Sequence, residues 1–352
     1  MTVESTVENK GNFFEDFSVG QEIIHATPRT LTTGDAALYM ALFGSRFALQ
    51  SSDFFAQSLG FSVSPLDDLL IFHVVFGKSV PDVSLNAVAN LGYAGGRFLT
   101  PVFPGNTLTA RSTVIGLREN TNGKTGIVYV NTTGTNQHGE VVLDYARWVM
   151  VAKRNPDTPA PEPVIPTLPA AVAASDLRAP EGIDYKRLDA SASGSTQLWD
   201  DFEAGMKFDH RDGVTVEEAE HMLATRLYQN TARVHFDGFT QKDSRFGRRL
   251  IYGGHVISLA RALSFNGLSN GFHIAAINAG RHVAPLFAGD TVFAWSEIVD
   301  KAPLECRADI GALRVCTRAT KNRLCANYPG ARDDDTDGLI LDFDYWLLMP
   351  RR

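Results

Sequence analysis

The chain contains itself twice. From Arg97 it reads RFLTPVFPGNTL and from Arg281 it reads RHVAPLFAGDTV, a pairing that keeps Arg, Pro, Phe, Gly and Thr in register. FEDFSVGQ at Phe14 pairs with WDDFEAGM at Trp199 at nearly the same offset, and VLDYARWVMV at Val142 pairs with ILDFDYWLLM at Ile340. The repeat spans almost all of the 352 residues, so the fold must be one unit built twice. Function is expected where the copies differ. Val234-His235-Phe236-Asp237 in the second copy stands where the first has Gln50-Ser51-Ser52-Asp53, which places any chemistry in the second half.

Composition narrows the classes. With 44% apolar and 21% charged residues the chain is an ordinary globular protein of two-domain length. The net charge of −7, with no basic stripe or interleaving of arginine with aromatics, argues against a nucleic-acid partner. No stretch approaches the ~20 apolar residues that span a bilayer, and MTVESTVENKGN carries neither the basic nor the apolar part of a signal peptide. A soluble, cytoplasmic protein with no membrane partner is the expectation. Cys306, Cys316 and Cys325 show no CxxC spacing and read as reduced thiols in core strands.

Residues 153–196 include NPDTPAPEPVIPTLPAAVAAS, a Pro- and Ala-rich run that reads as an extended linker. The domains then fall at 13–152 and 197–352. Each has the same order of elements, an apolar helix followed by alternating strands. In the first copy the helix is LDDLLIFHVVFGKSV from Leu66. Four strands follow it, opening at Ala87, Thr107, Gly126 and Val141. In the second, GGHVISLARALSF from Gly253 precedes strands opening at His273, Thr291, Ala312 and Gly338. A long helix wrapped by an antiparallel sheet, twice in tandem, is an α+β fold.

Several motifs fail on inspection. Gly123-Lys124-Thr125 lacks the leading glycine of a phosphate loop, since Arg118 stands there, and reads as a hairpin turn. Asp333, Asp335, Asp337, Gly338 and Asp344 mimic a calcium loop, but the copy alignment puts a strand after Gly338 where a helix is needed. His210 and His221 have no metal-ligand spacing, so no metal site is expected. His73 and His255 occupy near-equivalent places on the two apolar helices and read as core residues, with His255 a distant second candidate for chemistry.

The segment from Gln229 to Asp237 is different. It concentrates amide, hydroxyl, imidazole and carboxylate groups in a loop between helices. Downstream, Tyr252-Gly253-Gly254 opens a helix whose free first-turn N–H groups could polarise a carbonyl oxygen. Together they offer a base and an oxyanion site.

These residues resemble a known family. The V-H-x-D loop, the glycine-led helix and the R-x-x-x-P-x-F-x-G-D/N-T strand are similar to the MaoC-like (R)-specific enoyl-CoA hydratases, of hotdog fold. The phrases ALYMALFGSRFALQSSD, PLDDLLIFHVVFGKSVPDVSLNAVANLGYAGGRF and VVLDYARWVMV resemble more narrowly the double-hotdog 2-methylfumaryl-CoA (mesaconyl-CoA) hydratases, or β-methylmalyl-CoA dehydratases. The resemblance implies a tandem double hotdog, an acyl-CoA thioester substrate, no cofactor beyond the coenzyme A that the substrate carries, and a homodimer or larger homo-oligomer. It implies reversible syn addition of water to an enoyl thioester by a histidine and a carboxylate sharing one water.

His235 falls on the family's histidine. The carboxylate position, five residues earlier, holds Asn230, and an amide can orient water but accept no proton. His235 would transfer protons alone or with help from Asp237. Gly253 and Gly254 are the expected oxyanion donors. Arg233, Arg245, Arg248 and Arg249 are candidates for a distal carboxylate and for coenzyme A phosphate. The first copy, with Ser51 at the histidine position, is expected to shape the pocket. The implied reaction joins 2-methylfumaryl-CoA and water to β-methylmalyl-CoA. A general (R)-enoyl-CoA hydratase, a thioester hydrolase and a non-catalytic acyl-CoA binding protein are the rivals.

Overall fold

The computed structural model describes residues 11–305 and 307–352. The amino-terminal segment read above for a signal peptide lies outside them for residues 1–10, as does Cys306.

Each copy contributes five antiparallel strands. The first supplies β1 (Glu22–Thr30), β2 (Ala87–Phe98), β3 (Thr107–Glu119), β4 (Thr125–Thr135) and β5 (Val141–Ala152). The second supplies β6 (Lys207–Thr215), β7 (His273–His282), β8 (Thr291–Leu304), β9 (Arg307–Lys321) and β10 (Leu339–Pro350). They form one ten-stranded sheet ordered β1-β3-β4-β5-β2-β7-β10-β9-β8-β6, so the second half repeats the order of the first in mirror sequence. The halves join where β2 pairs antiparallel with β7, from Tyr93 opposite Gly280 to Arg97 opposite Ala276. Alternation explains the strands. In β5 Leu143, Tyr145, Val149 and Val151 are buried, while Asp144, Trp148 and Met150 are partly exposed on the other face.

Two central helices lie on one face of this sheet, Asp68–Ser79 and Gly253–Leu263. After its first residue each is buried along its whole length, which explains sequences apolar on every side. The two helices meet at their sixth residues. His73 Nε2 lies 2.8 Å from Ser258 Oγ, which also accepts from Tyr39 OH at 2.9 Å. His73 therefore corresponds to Ser258 and not to His255, which sits one turn nearer its own helix start.

The duplication extends to buried polar detail. His25 Nε2, Ser112 Oγ and Thr132 Oγ1 form a chain at 2.7 and 2.8 Å, and His210, Ser296 and Thr317 repeat it at 2.8 and 2.7 Å. Both first strands of the copies carry a bulge with a left-handed residue, Thr27 at φ 55° and Arg211 at φ 60°. His210 is thus a strand-bridging histidine.

The connector is an ordered strap across the sheet. Val164 bridges to Leu117 in β3, Val172 N–H donates to Asn278 Oδ1 in β7 at 2.8 Å, and Trp346 Nε1 in β10 donates to Val172 O at 2.9 Å. The strap's own Val172, Leu177, Ile183 and Tyr185 are buried with Phe272, Ile310 and Trp346 of the second copy. Residues 153–196 thus tie the two halves together, which a loose linker would not do. Asn122 to Thr125 form the β3–β4 turn, and the acidic segment at Asp333 is the β9–β10 loop, where Asp335 pairs with Arg323. Cys316 is buried in β9, while Cys325 is buried in a loop and not, as expected, in a strand.

Candidate active site

The loop bearing His235 is positioned by both copies. The helix Glu218–Leu227 ends, Gln229 turns the chain at φ 56°, and Asn230 passes beneath the first copy's central helix. A Cβ on Gly77 would stand 1.9 Å from Tyr228 O, so only glycine admits this crossing. Asn230 is buried. Its Oδ1 accepts from Ala232 N–H at 3.2 Å, while its Nδ2 has no partner among the described residues. The chain then forms a single turn, Arg233–Phe236, in place of the expected loop.

His235 is held by reciprocal bonds. Its Nδ1 donates to Leu250 O at 2.8 Å and Leu250 N–H donates to Val234 O at 3.0 Å. Because a carbonyl only accepts, the proton resides on Nδ1 and the Nε2 lone pair is left for a substrate. Burial pushes the imidazole down to about 4, against the opposing pull of the Leu250 carbonyl. At neutral pH it is an uncharged base.

The ring lies 5.5 Å from that of Tyr252, the residue before the helix start at Gly253. Tyr252 N–H donates to His221 Nε2 at 2.9 Å, so His221 holds the helix entry. Burial, with His255 and His235 adjoining, depresses His221 to about 2. His255, on the helix itself, is buried edge-on to Phe43 and lowered by burial to about 3.

The two helix starts differ in one decisive way. In the first copy Asp67 caps its own helix, accepting from Leu69 N–H at 2.9 Å. In the second copy Tyr252 stands at that position and provides no side-chain cap, so no carboxylate of its own closes the first-turn N–H groups of Gly253 and Gly254. The positive end of the helix dipole is closed in one copy and open in the other. Gly253 serves a second need. A Cβ there would stand 2.3 Å from the imidazole of His282, which covers the helix start.

The remaining expected residues spread outward. Asp237 Oδ1 accepts from Phe239 N–H at 2.9 Å and Thr240 N–H at 3.2 Å, and these bonds hold the carboxyl below its usual range. It shapes the loop. The four arginines do not converge into one clamp, because each finds its own partner. Arg233 donates to Asn86 of the first copy at 3.4 Å, and Arg249 contacts Glu218 and Met222 Sδ. Arg245 and Arg248 are exposed, stacked over Phe246 and Phe287 at 5.4 and 4.0 Å.

His282 and Tyr93 escaped the reading of the sequence. The signal for His282 was present in the best-aligned motif, where Phe98 of the first copy faces His282 of the second. Tyr93 carried none, since only the β2–β7 seam brings it near.

A base beside an open helix start, with two central helices on a joined ten-stranded sheet, defines a double hotdog of the hydratase and dehydratase type. A crystal structure of a putative MaoC domain protein dehydratase from Chloroflexus aurantiacus is similar at a TM-score of 0.96 and 61% identity, covering 99% of this chain and 100% of that one. A Mycobacterium tuberculosis protein described as a double hotdog matches at 0.72 and 25%, covering 98% and 99%. The family profile for mesaconyl-CoA hydratase matches residues 3–337, and the chain belongs to that family. A β-methylmalyl-CoA dehydratase of Chloroflexus aurantiacus is 61% identical over 350 residues, 99% of each chain.

Proposed function

We propose that the protein catalyses the reversible addition of water to 2-methylfumaryl-CoA, giving β-methylmalyl-CoA. Membership of the mesaconyl-CoA hydratase family and the similar β-methylmalyl-CoA dehydratase support this, since the two names describe one reaction from opposite sides. The observation that carries the mechanism is His235, whose Nδ1 is committed to Leu250 O and whose Nε2 is left as an uncharged base.

The thioester oxygen docks on the N–H groups of Gly253 and Gly254. His235 Nε2 takes a proton from water as its oxygen bonds to the β-carbon, and charge builds on the thioester oxygen. One such donor is worth about 3 kcal/mol in the transition state. The imidazolium then returns the proton to the α-carbon on the same face. Asn230 orients the water through its Nδ2, a buried donor whose isolation would otherwise cost about 1–3 kcal/mol. Asp237 acts through the loop, and the exposed Arg245 and Arg248 meet the coenzyme A phosphates. No cofactor enters the scheme.

No described helix is long and apolar enough to cross a membrane. Cytoplasmic location and a homodimer or larger homo-oligomer complete the proposal.

The test is purified protein with 2-methylfumaryl-CoA and crotonyl-CoA in parallel, following enoyl-thioester absorbance and product mass. Gain of one water on the first substrate is expected, with a loss of 100-fold or more, on the order of a general base's contribution, in His235→Ala. Turnover of crotonyl-CoA alone would leave a general hydratase, and free coenzyme A as product would make the protein a hydrolase.

A further inference from the structure

The substrate proposed above carries a carboxylate on the carbon that water attacks, so its negative charge must sit about as close to His235 as the water does. None of the four arginines of the loop converges there. Two other side chains do, one from each copy.

His282 ends β7, two residues past the last β2–β7 pair, and its imidazole lies against the helix start at Gly253. Tyr93 opens that same pairing from β2. Its ring is perpendicular to that of His282 at 5.9 Å, and its hydroxyl stands 3.4 Å from His282 Nε2. Tyr93 is fully buried against Phe72, whereas His282 is half-buried. The first copy, whose helix start Asp67 closes, has Phe98 in place of His282. The polar residue thus appears only in the copy with the open helix start.

We infer that His282 and Tyr93 form the subsite that receives the distal carboxylate and selects a dicarboxylic over a monocarboxylic enoyl thioester; the inference deepens the reading above and rests on it. Imidazole N–H and phenol O–H both donate to a carboxylate, and the positive end of the Gly253 helix favours an anion in the same place. Burial and the neighbouring His235 hold the free imidazole near 4, hence neutral. A docked carboxylate pulls it the other way, so the subsite gains charge complementarity as it fills. Without such an anion a permanently charged group here would repel the imidazolium that forms on His235.

The test uses saturated thioesters that bind without reacting, methylsuccinyl-CoA and its monocarboxylic counterpart 2-methylbutanoyl-CoA, measured by calorimetry on the full chain. The wild type should prefer the dicarboxylic thioester by about tenfold or more, as a site built around donors rejects an analogue lacking the acceptor. His282→Phe, which installs the first copy's residue, and the milder Tyr93→Phe should each shrink that preference severalfold. Retained preference in both folded variants, or none in the wild type, overturns the inference. Failure to hydrate 2-methylfumaryl-CoA while the preference is present and lost in the variants would instead overturn the proposed reaction and leave the carboxylate subsite standing.

Discussion

At the scale of single residues, His235 shows how a backbone carbonyl selects a tautomer. Leu250 O holds the proton on Nδ1, and burial removes the charge that a histidine in water would carry below pH 6.5. The sign of the pH effect follows. The base works unprotonated, and its folded value is near 4, so kcat/KM should stay flat as pH falls through 6.5 and drop only toward 4. An acid limb at 6.5 in a pH–rate profile would show that His235 is solvated in the free enzyme. His235 stood out because its phrase is absent from the first copy, and Gly253 and Gly254 because they lead into a helix. His282 differed from its counterpart just as plainly, but a lone histidine in a strand motif says nothing until its neighbour across the chain is known. Asp237 stood out because carboxylates are proton acceptors, and two N–H groups of its own loop engage its Oδ1.

Among elements, the central helices carry the asymmetry of the duplication. Both were legible from their apolar length, and so were the strands that follow. Their mutual arrangement was not, because periodicity reports which face is buried and not what buries it. Gly77 is the clearest instance. It sits in an ordinary helical run, but Tyr228 O of the other copy occupies the space of its missing side chain. Gly77→Ala should cost about 1–3 kcal/mol as an overpacking change, and it should also depress kcat by shifting the segment from Tyr228 to His235. Thermal unfolding and turnover measured on the same preparation separate the two effects. A variant with wild-type values in both would show that the loop crosses elsewhere. The connector belongs to this scale as well. Its Pro- and Ala-rich composition predicted extension, while its anchoring by Asn278 and Trp346 depends on a sheet far away in sequence.

For the whole molecule, joining β2 to β7 makes one sheet of two copies, and the fold buries a group of uncharged histidines. His73, His210, His221 and His255 are each 1% exposed or less, and burial lowers all four below the ordinary value. Their neutral forms are native, so their stabilising contribution is complete above pH 6.5. It is lost as pH falls from 6.5 toward 4, because the unfolded chain binds more protons than the folded one in that window. Stability should therefore fall steadily between pH 7 and pH 5. Denaturant unfolding at pH 7, 6 and 5 checks it, and a midpoint indifferent to pH would mean that these histidines are hydrated or paired in the native state.

By itself the sequence determined the duplication, the helix and strands of each copy, the polar loop that carries His235 and the glycine-led helix beside it. These are local matters, set by periodicity, by turn residues and by comparison of one copy with the other. Only the tertiary structure decided that the first copy closes its own helix start with Asp67 and lends Tyr93 to the second. It also decided that the arginines part company and that the connector is a strap. Those outcomes depend on which residues 100 or more positions apart come into contact, as Tyr93 and His282 do across 189 residues, and no local pattern encodes them.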